Sequence, residues 1–146
     1  MIIWFTGQPG SGKTTICKRI LFDKPGVIHI DGDDLRDLFE NKDYSEYGRR
    51  KNVELAQQIA QFLNKKGKDV LVSLVSPYKD QRDKFKDKIG NNLIEVYIHT
   101  SEIRGREEFF VEEYQPPTER YLSLDTTNES VEESTNKVLS YAKNSR

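Results

Sequence analysis

Gly7-Gln8-Pro9-Gly10-Ser11-Gly12-Lys13-Thr14 is the stretch whose reading decides the fold. It fits G-x-x-x-x-G-K-[ST], the phosphate-binding P-loop. The apolar run Met1-Ile2-Ile3-Trp4-Phe5-Thr6 comes before it and reads as a strand. Thr15-Ile16-Cys17-Lys18-Arg19-Ile20-Leu21 comes after it, with apolar residues at helical spacing. Glycines let the backbone wrap a phosphate with N–H groups inward. A helix starting near Gly12 turns its positive end on the same anion. Lys13, expected to be exposed, should reach the β- and γ-phosphates, and the Thr14 hydroxyl should ligate Mg²⁺. The bland alternative is a glycine-rich turn. Strand, loop and helix in register favour a nucleoside triphosphate site.

Outward from that loop, strands and helices alternate. Val27–Ile30 is a short strand, followed by Asp31-Gly32-Asp33-Asp34 and a brief helix over 35–39. A polar loop over 41–48 leads to a helix over about 49–66. Val53, Ala56, Ala60 and Leu63 line one side of it, with Leu55, Ile59 and Phe62 beside them. Gly67 is its expected C′ residue. Residues 70–75 form a third strand. Ser76-Pro77 reads as N-cap and N1 of a helix to about Ile89, whose stripe of Tyr78, Phe85 and Ile89 is narrow enough that most of it should face water. Residues 93–99 and 121–125 are further strands, and Ser130-x-x-Glu133 is a capping box. The last helix carries Val131, Thr135, Val138, Leu139 and Ala142 on one face. This order predicts the three-layer α/β fold of P-loop kinases, a parallel sheet of about five strands with helices on both faces. Ligands then bind beyond the carboxyl ends of the strands.

The 146 residues suit a single domain. Lysine and arginine number 23 against 24 acids, a net charge of −1, which gives no basic face for general nucleic-acid binding. The lone Cys17 excludes an internal disulfide and reads as a small buried hydrophobe. No long apolar run or signal peptide is seen, so a soluble, cytoplasmic protein without membrane contact is expected.

Magnesium needs a carboxylate, yet the third strand ends in Ser73 and Ser76. The nearest acids are Asp31, Asp33 and Asp34. One could hold the ion through water and another could accept a proton from an acceptor hydroxyl. The reading assigns Asp31 with Thr14 to the metal and Asp33 to the base, the exchange of the two roles staying open. The competing view makes Asp-Gly-Asp a turn, with Asp33 or Asp34 as N-cap. Arg36, Arg49 and Arg50 would clamp an anionic acceptor or line a solvated face.

Asp31-Gly32-Asp33-x-x-Arg36, Tyr44-Ser45-x-x-x-Arg49-x-x-Asn52 and Ser73-Leu74-Val75-Ser76-Pro77-Tyr78 together resemble the adenylylsulfate kinase family. Tyr114-Gln115-Pro116-Pro117 and Leu124-Asp125-Thr126 extend the resemblance over nearly the whole chain. It implies transfer of the ATP γ-phosphate to the 3′-hydroxyl of adenosine 5′-phosphosulfate, a step of sulfate assimilation. It implies ATP on Gly7, Gln8, Pro9, Gly10, Ser11, Gly12, Lys13 and Thr14. Asp33, Arg36, Tyr44, Arg49, Asn52, Val75 and Ser76 would line the acceptor site, and a homodimer is among the expected states. Ser76 matches a position marked in the family as a phosphoserine intermediate. A nucleophilic serine needs an adjacent base, and none is evident, so direct transfer with Ser76 shaping the site is expected. Lys13, Asp33 and Ser76 make up the expected catalytic set.

Departures from the family pattern are specific. Gly48 replaces an aspartate, Glu54 and Leu55 replace paired arginines, and a long basic lid is reduced to about residues 100–117 with Arg104 and Arg106. Other readings are a kinase for another nucleotide-like or nucleic-acid hydroxyl, and a degenerate ATP-binding module. A guanine-nucleotide switch is excluded, because Asn64-Lys65-Lys66-Gly67 lacks the aspartate that reads the base.

Overall fold

Strand β1 (Ile2–Thr6) is buried along its whole length, because neighbours flank both of its edges and helices cover both of its faces. In the computed structural model, which describes residues 1–145, β3 (Val70–Ser73) and β4 (Leu93–His99) pair with β1 on either side. β2 (Ile28–Asp31) and β5 (Leu122–Asp125) form the edges, giving the order β2-β3-β1-β4-β5 with every pair parallel. Successive side chains of a strand point to opposite faces. Ile3 and Phe5 accordingly join one core with Ile16, Cys17 and Ile20 of α1 (Lys13–Asp23) and Val138 of α5 (Val131–Asn144). Ile2 and Trp4 join the other, with Leu35 of α2 (Gly32–Leu38), Val53, Ala56 and Ala60 of α3 (Glu46–Lys65) and Phe85 of α4 (Lys79–Ile89). The expected three-layer architecture is the one found. No helix of the described residues is long and apolar enough to cross a membrane.

The helix ends separate sound expectations from mistaken ones. Gly67, at φ 85°, closes α3 as expected: the Lys68 N–H donates to Leu63 C=O and the Gly67 N–H to Asn64 C=O. The capping box of Ser130 and Glu133 is present. The start of α3 lies three residues earlier than expected, because Ser45 Oγ accepts from the Gly48 N–H and caps the helix there. Phe62 is 60% exposed and Val131 is exposed too, so neither belongs to its helix's buried stripe.

The third strand stops at Ser73, and Ser76 is not the N-cap of α4. Ser76 sits in the left-handed region at φ 49°, and Tyr78 takes the cap position with no side-chain hydrogen bond. Nor does most of α4 face water. Arg82 and Lys86 are buried against Glu95 of β4, at 3.0 and 2.6 Å. Apolar spacing alone cannot show a face that is buried through ion pairs.

Candidate active site

The P-loop, residues 7–14, leaves β1 at the carboxyl edge of the sheet and feeds α1. Gly7 is required by close approach, since a Cβ there would stand 2.1 Å from the Ile98 carbonyl oxygen. Lys13 is not exposed as expected: 8% of it is accessible, and its ammonium donates to the carbonyls of Gly7 at 2.8 Å and Gln8 at 2.9 Å. Burial lowers its pKa to about 8, with the nearby Asp31 charge pulling the other way. The Cys17 thiol behind it is fully buried and held in its neutral form, chiefly by that burial. This matches the hydrophobe expected at that position.

Asp31 is where the P-loop meets the neighbouring strands. Its Oδ1 accepts from Thr14 Oγ1 at 3.0 Å and from Ser73 Oγ at 2.9 Å. Its Oδ2 accepts from the Asp33 N–H at 3.2 Å, so Asp31, rather than Asp33 or Asp34, is the N-cap of α2. His29 Nε2 lies 2.7 Å from Ser73 Oγ. The single Ser73 hydroxyl proton goes to Asp31, so His29 Nε2 carries the proton that it shares with Ser73. Burial depresses the His29 pKa, while the Asp31 charge opposes it. The chain His29–Ser73–Asp31–Thr14 was not anticipated. Its signal was Ser73 standing where an acid is usual.

The two oxygen ligands expected for the metal, Thr14 and Asp31, are thus adjacent. Mg²⁺ prefers oxygen and takes one or two carboxylates together with substrate phosphates, which this donor set fits. No cluster of three or more His, Cys, Asp or Glu residues suited to a metal occurs among the described residues. The remaining ligands would have to be phosphate oxygens and water. Asp33 is exposed on the first turn of α2, and its charge reaches Lys13.

On the side of β2 and β3 lie the residues expected at the acceptor. Arg36 donates to the carbonyls of Asn41 at 3.1 Å and Asp43 at 3.0 Å, and its guanidinium lies 4.0 Å from the Tyr44 ring centroid. Asn52 Nδ2 donates to the Gly32 carbonyl at 3.3 Å. Asn52 Oδ1 and Ser76 Oγ are buried with no hydrogen-bond partner among the described residues. The Val75 carbonyl accepts from Thr6 Oγ1 at 2.7 Å, tying the exit of β3 to β1. Arg49 Nη1 donates to Glu113 at 2.7 Å. At Gly48 a Cβ would stand 2.1 Å from the Asp43 carbonyl oxygen, so this chain has no room for a side chain there.

The segment over 100–117 folds back across the P-loop. Arg104 donates to the carbonyls of Gly10 and Ser11, both at 3.1 Å, and to Thr126 at 3.0 Å. Arg106 packs against Gly10, where a Cβ would meet its own Cβ at 3.2 Å. Gln8 binds Val111 in both directions: its Nε2 donates to the carbonyl at 2.8 Å, and its Oε1 accepts from the N–H at 2.9 Å. Thr6 Oγ1 lies 2.8 Å from Tyr114 Oη, and the Gln115 N–H donates to Pro77 C=O at 2.9 Å. These anchors convert 111–115 into a strap. Sequence reasoning found its arginines and placed Gln8 in the P-loop without its tie to Val111, and it missed Glu113 and the buried Arg82, which also donates to the carbonyls of Ser76 (2.6 Å) and Gln115.

Residues 1–108 match the family model described as adenylylsulphate kinase. A probable adenylyl-sulfate kinase of Aeropyrum pernix is 30% identical, covering 98% of this chain and 92% of its own length. The adenylyl-sulfate kinase of Pseudomonas aeruginosa is also 30% identical, over 96% and 84%. Among solved structures, the APS kinase of Mycobacterium tuberculosis in complex with AMPPNP and APS superposes with a TM-score of 0.81 at 25% identity, covering 97% of this chain and 96% of that one. A gluconokinase of Sinorhizobium meliloti, 18% identical with a TM-score of 0.70 over 97% and 91%, shares the fold. The match over most of the chain shows that it belongs to the adenylylsulfate kinase family of ATP-dependent kinases.

Proposed function

We propose that this chain transfers the γ-phosphoryl group of ATP to the 3′-hydroxyl of adenosine 5′-phosphosulfate, giving 3′-phosphoadenylyl sulfate and ADP. The observation that carries this reading is the juxtaposition of two half-sites. Lys13, Thr14 and Asp31 gather at the carboxyl ends of β1 and β2. Asn52 Oδ1 and Ser76 Oγ are buried polar atoms with no hydrogen-bond partner among the described residues, and Arg49 lies three residues before Asn52 on α3. A buried polar atom left unpaired is costly, and a ligand that hydrogen-bonds it removes that cost. The M. tuberculosis relative, bound to AMPPNP and APS, supports a nucleotide on each side.

In this reading Lys13 moves from the carbonyls of Gly7 and Gln8 onto the γ-phosphate and balances charge there. Asp33 accepts the proton of the attacking hydroxyl as its oxygen bonds to phosphorus and the bond to the β,γ-bridging oxygen breaks. Magnesium, held by Thr14 and Asp31, would neutralise charge on the phosphate oxygens. Ser73 and His29 orient the Asp31 carboxylate. Asn52 reads a ribose or base edge, and Arg49 holds the acceptor's anion. Ser76 lacks a base within hydrogen-bond reach and serves as a wall of the site.

The test is Arg49→Ala in steady-state kinetics. Losing a charge-assisted hydrogen bond should cost about 1.5–3 kcal/mol, a roughly ten- to hundredfold rise in acceptor KM, with the KM for ATP nearly unchanged. Unaltered acceptor kinetics would remove Arg49 from the site. Phosphorylation of another alcohol, but not of adenosine phosphosulfate, would replace the acceptor.

A further inference from the structure

Glu113 already stands on the guanidinium that the acceptor anion is expected to use. Its Oε1 accepts from Arg49 Nη1 at 2.7 Å and from the Tyr78 hydroxyl at 3.4 Å. This is not the chance reach of a loose loop. Val111 is bound in both directions by Gln8, Tyr114 by Thr6, and Gln115 by Pro77, so the backbone on either side of Glu113 is anchored to the P-loop, β1 and the exit of β3. The carboxylate is therefore held over the acceptor wall by the strap itself. The side chains of the pair are 24% and 51% exposed, and ion pairs that open to water are weak enough to be exchanged for a better ligand.

We propose that Glu113 is a specificity-determining residue that competes with the acceptor for Arg49. The proposal rests on the acceptor site described above. Its chemical consequence is discrimination by contact number. A bare oxyanion such as sulfate or phosphate offers Arg49 little more than Glu113 does, and it also meets the repulsion of the carboxylate. A nucleotide brings further contacts at Asn52 and Ser76 and can displace Glu113. The site thus admits a nucleotide-borne anion and disfavours free inorganic anions of the same charge.

Glu113→Gln, Arg49→Ala and the double variant test this in two ways. In turnover, Glu113→Gln should lower the KM for adenosine phosphosulfate about two- to fivefold, the size expected for a half-exposed pair, without changing the KM for ATP. In a binding assay without turnover, the chain is first loaded with AMPPNP to fill the P-loop, and inorganic sulfate is titrated by calorimetry. Glu113→Gln should tighten sulfate by a larger factor than it lowers the KM for adenosine phosphosulfate, because only the nucleotide displaces the carboxylate, and the gain should vanish when Arg49 is alanine. Sulfate affinity unchanged by Glu113→Gln, or raised equally in the Arg49→Ala background, overturns the proposal. If the wild type does not phosphorylate adenosine phosphosulfate but the sulfate difference is seen and depends on Arg49, the acceptor assignment falls and the competition for Arg49 stands.

Discussion

Removal from water brings the Lys13 pKa from 10.5 to about 8 against the pull of the Asp31 charge, and this makes nucleotide binding sensitive to pH. Below about pH 8 Lys13 is already charged, and a triphosphate binds without taking up a proton. Above that, binding must protonate the lysine, because the phosphates raise its pKa in the complex. Affinity is therefore full below pH 8 and falls with rising pH beyond it, by at most about tenfold per unit. Calorimetry of AMPPNP binding between pH 7 and 9.5 should show this fall, with proton uptake on its alkaline side. Lys13→Met should bind weakly and show no such dependence. The same shift acts on folding with the opposite sense: the unfolded chain holds this proton more tightly, so the Lys13 contribution to stability rises from pH 8 towards 10.5. At Asp33 the expectation concerns turnover. Asp33→Asn should lower kcat by roughly 10²–10⁴-fold while the AMPPNP Kd stays near its wild-type value. An equal loss in Asp31→Asn with none in Asp33→Asn would exchange the two roles. Lys13 and Thr14 were legible in the sequence as P-loop residues from motif spacing, and Asp31 only as one of three acids after the second strand, which the fold brings to 3.0 Å from Thr14. The burial of Lys13 was not, because it depends on backbone carbonyls that turn towards it only in the folded loop.

The strap and α4 show what a one-dimensional pattern misses. α4 presents Arg82 and Lys86 to Glu95, with side-chain exposures of 1%, 4% and 2%, so its inner face is polar in composition yet buried. Arg82→Met leaves Lys86 on Glu95 but takes away the donor to the other carboxylate oxygen, and it should cost about 1–3 kcal/mol in urea unfolding. The loss should also loosen the Ser76 and Gln115 carbonyls that Arg82 holds. Gln8→Ala removes both hydrogen bonds to Val111, and amide exchange at 111–115 should speed up with little change in the core strands. Regular elements were readable where local chemistry is self-contained: the Gly67 C′ residue and the Ser130–Glu133 box depend on neighbours within a few residues. Ser76 was misread as a cap. Ser-Pro is a strong local signal, and the pull of Arg82 and Thr6 on its carbonyl comes from six and seventy residues away.

Sheet order gives the local pieces their joint meaning. With β3 between β1 and β2, the strand exits bring Asp31, Ser73 and Ser76 beside the P-loop. α3 then lays Asn52 against Gly32 at that edge. The alternation of strands and helices announced this class of fold, and the P-loop announced which edge of the sheet carries the chemistry. What only the folded chain reveals is that the 111–115 strap is tied to Gln8 and Thr6 and sets a carboxylate on Arg49. The most direct test of the account is product identification with the wild-type chain, magnesium, ATP carrying a labelled γ-phosphate, and adenosine 5′-phosphosulfate. The account predicts label transfer to the acceptor, with phosphorus NMR placing the new phosphate on the 3′-oxygen. ATP turnover that leaves adenosine phosphosulfate unlabelled, or a phosphate found at any other oxygen, would contradict it.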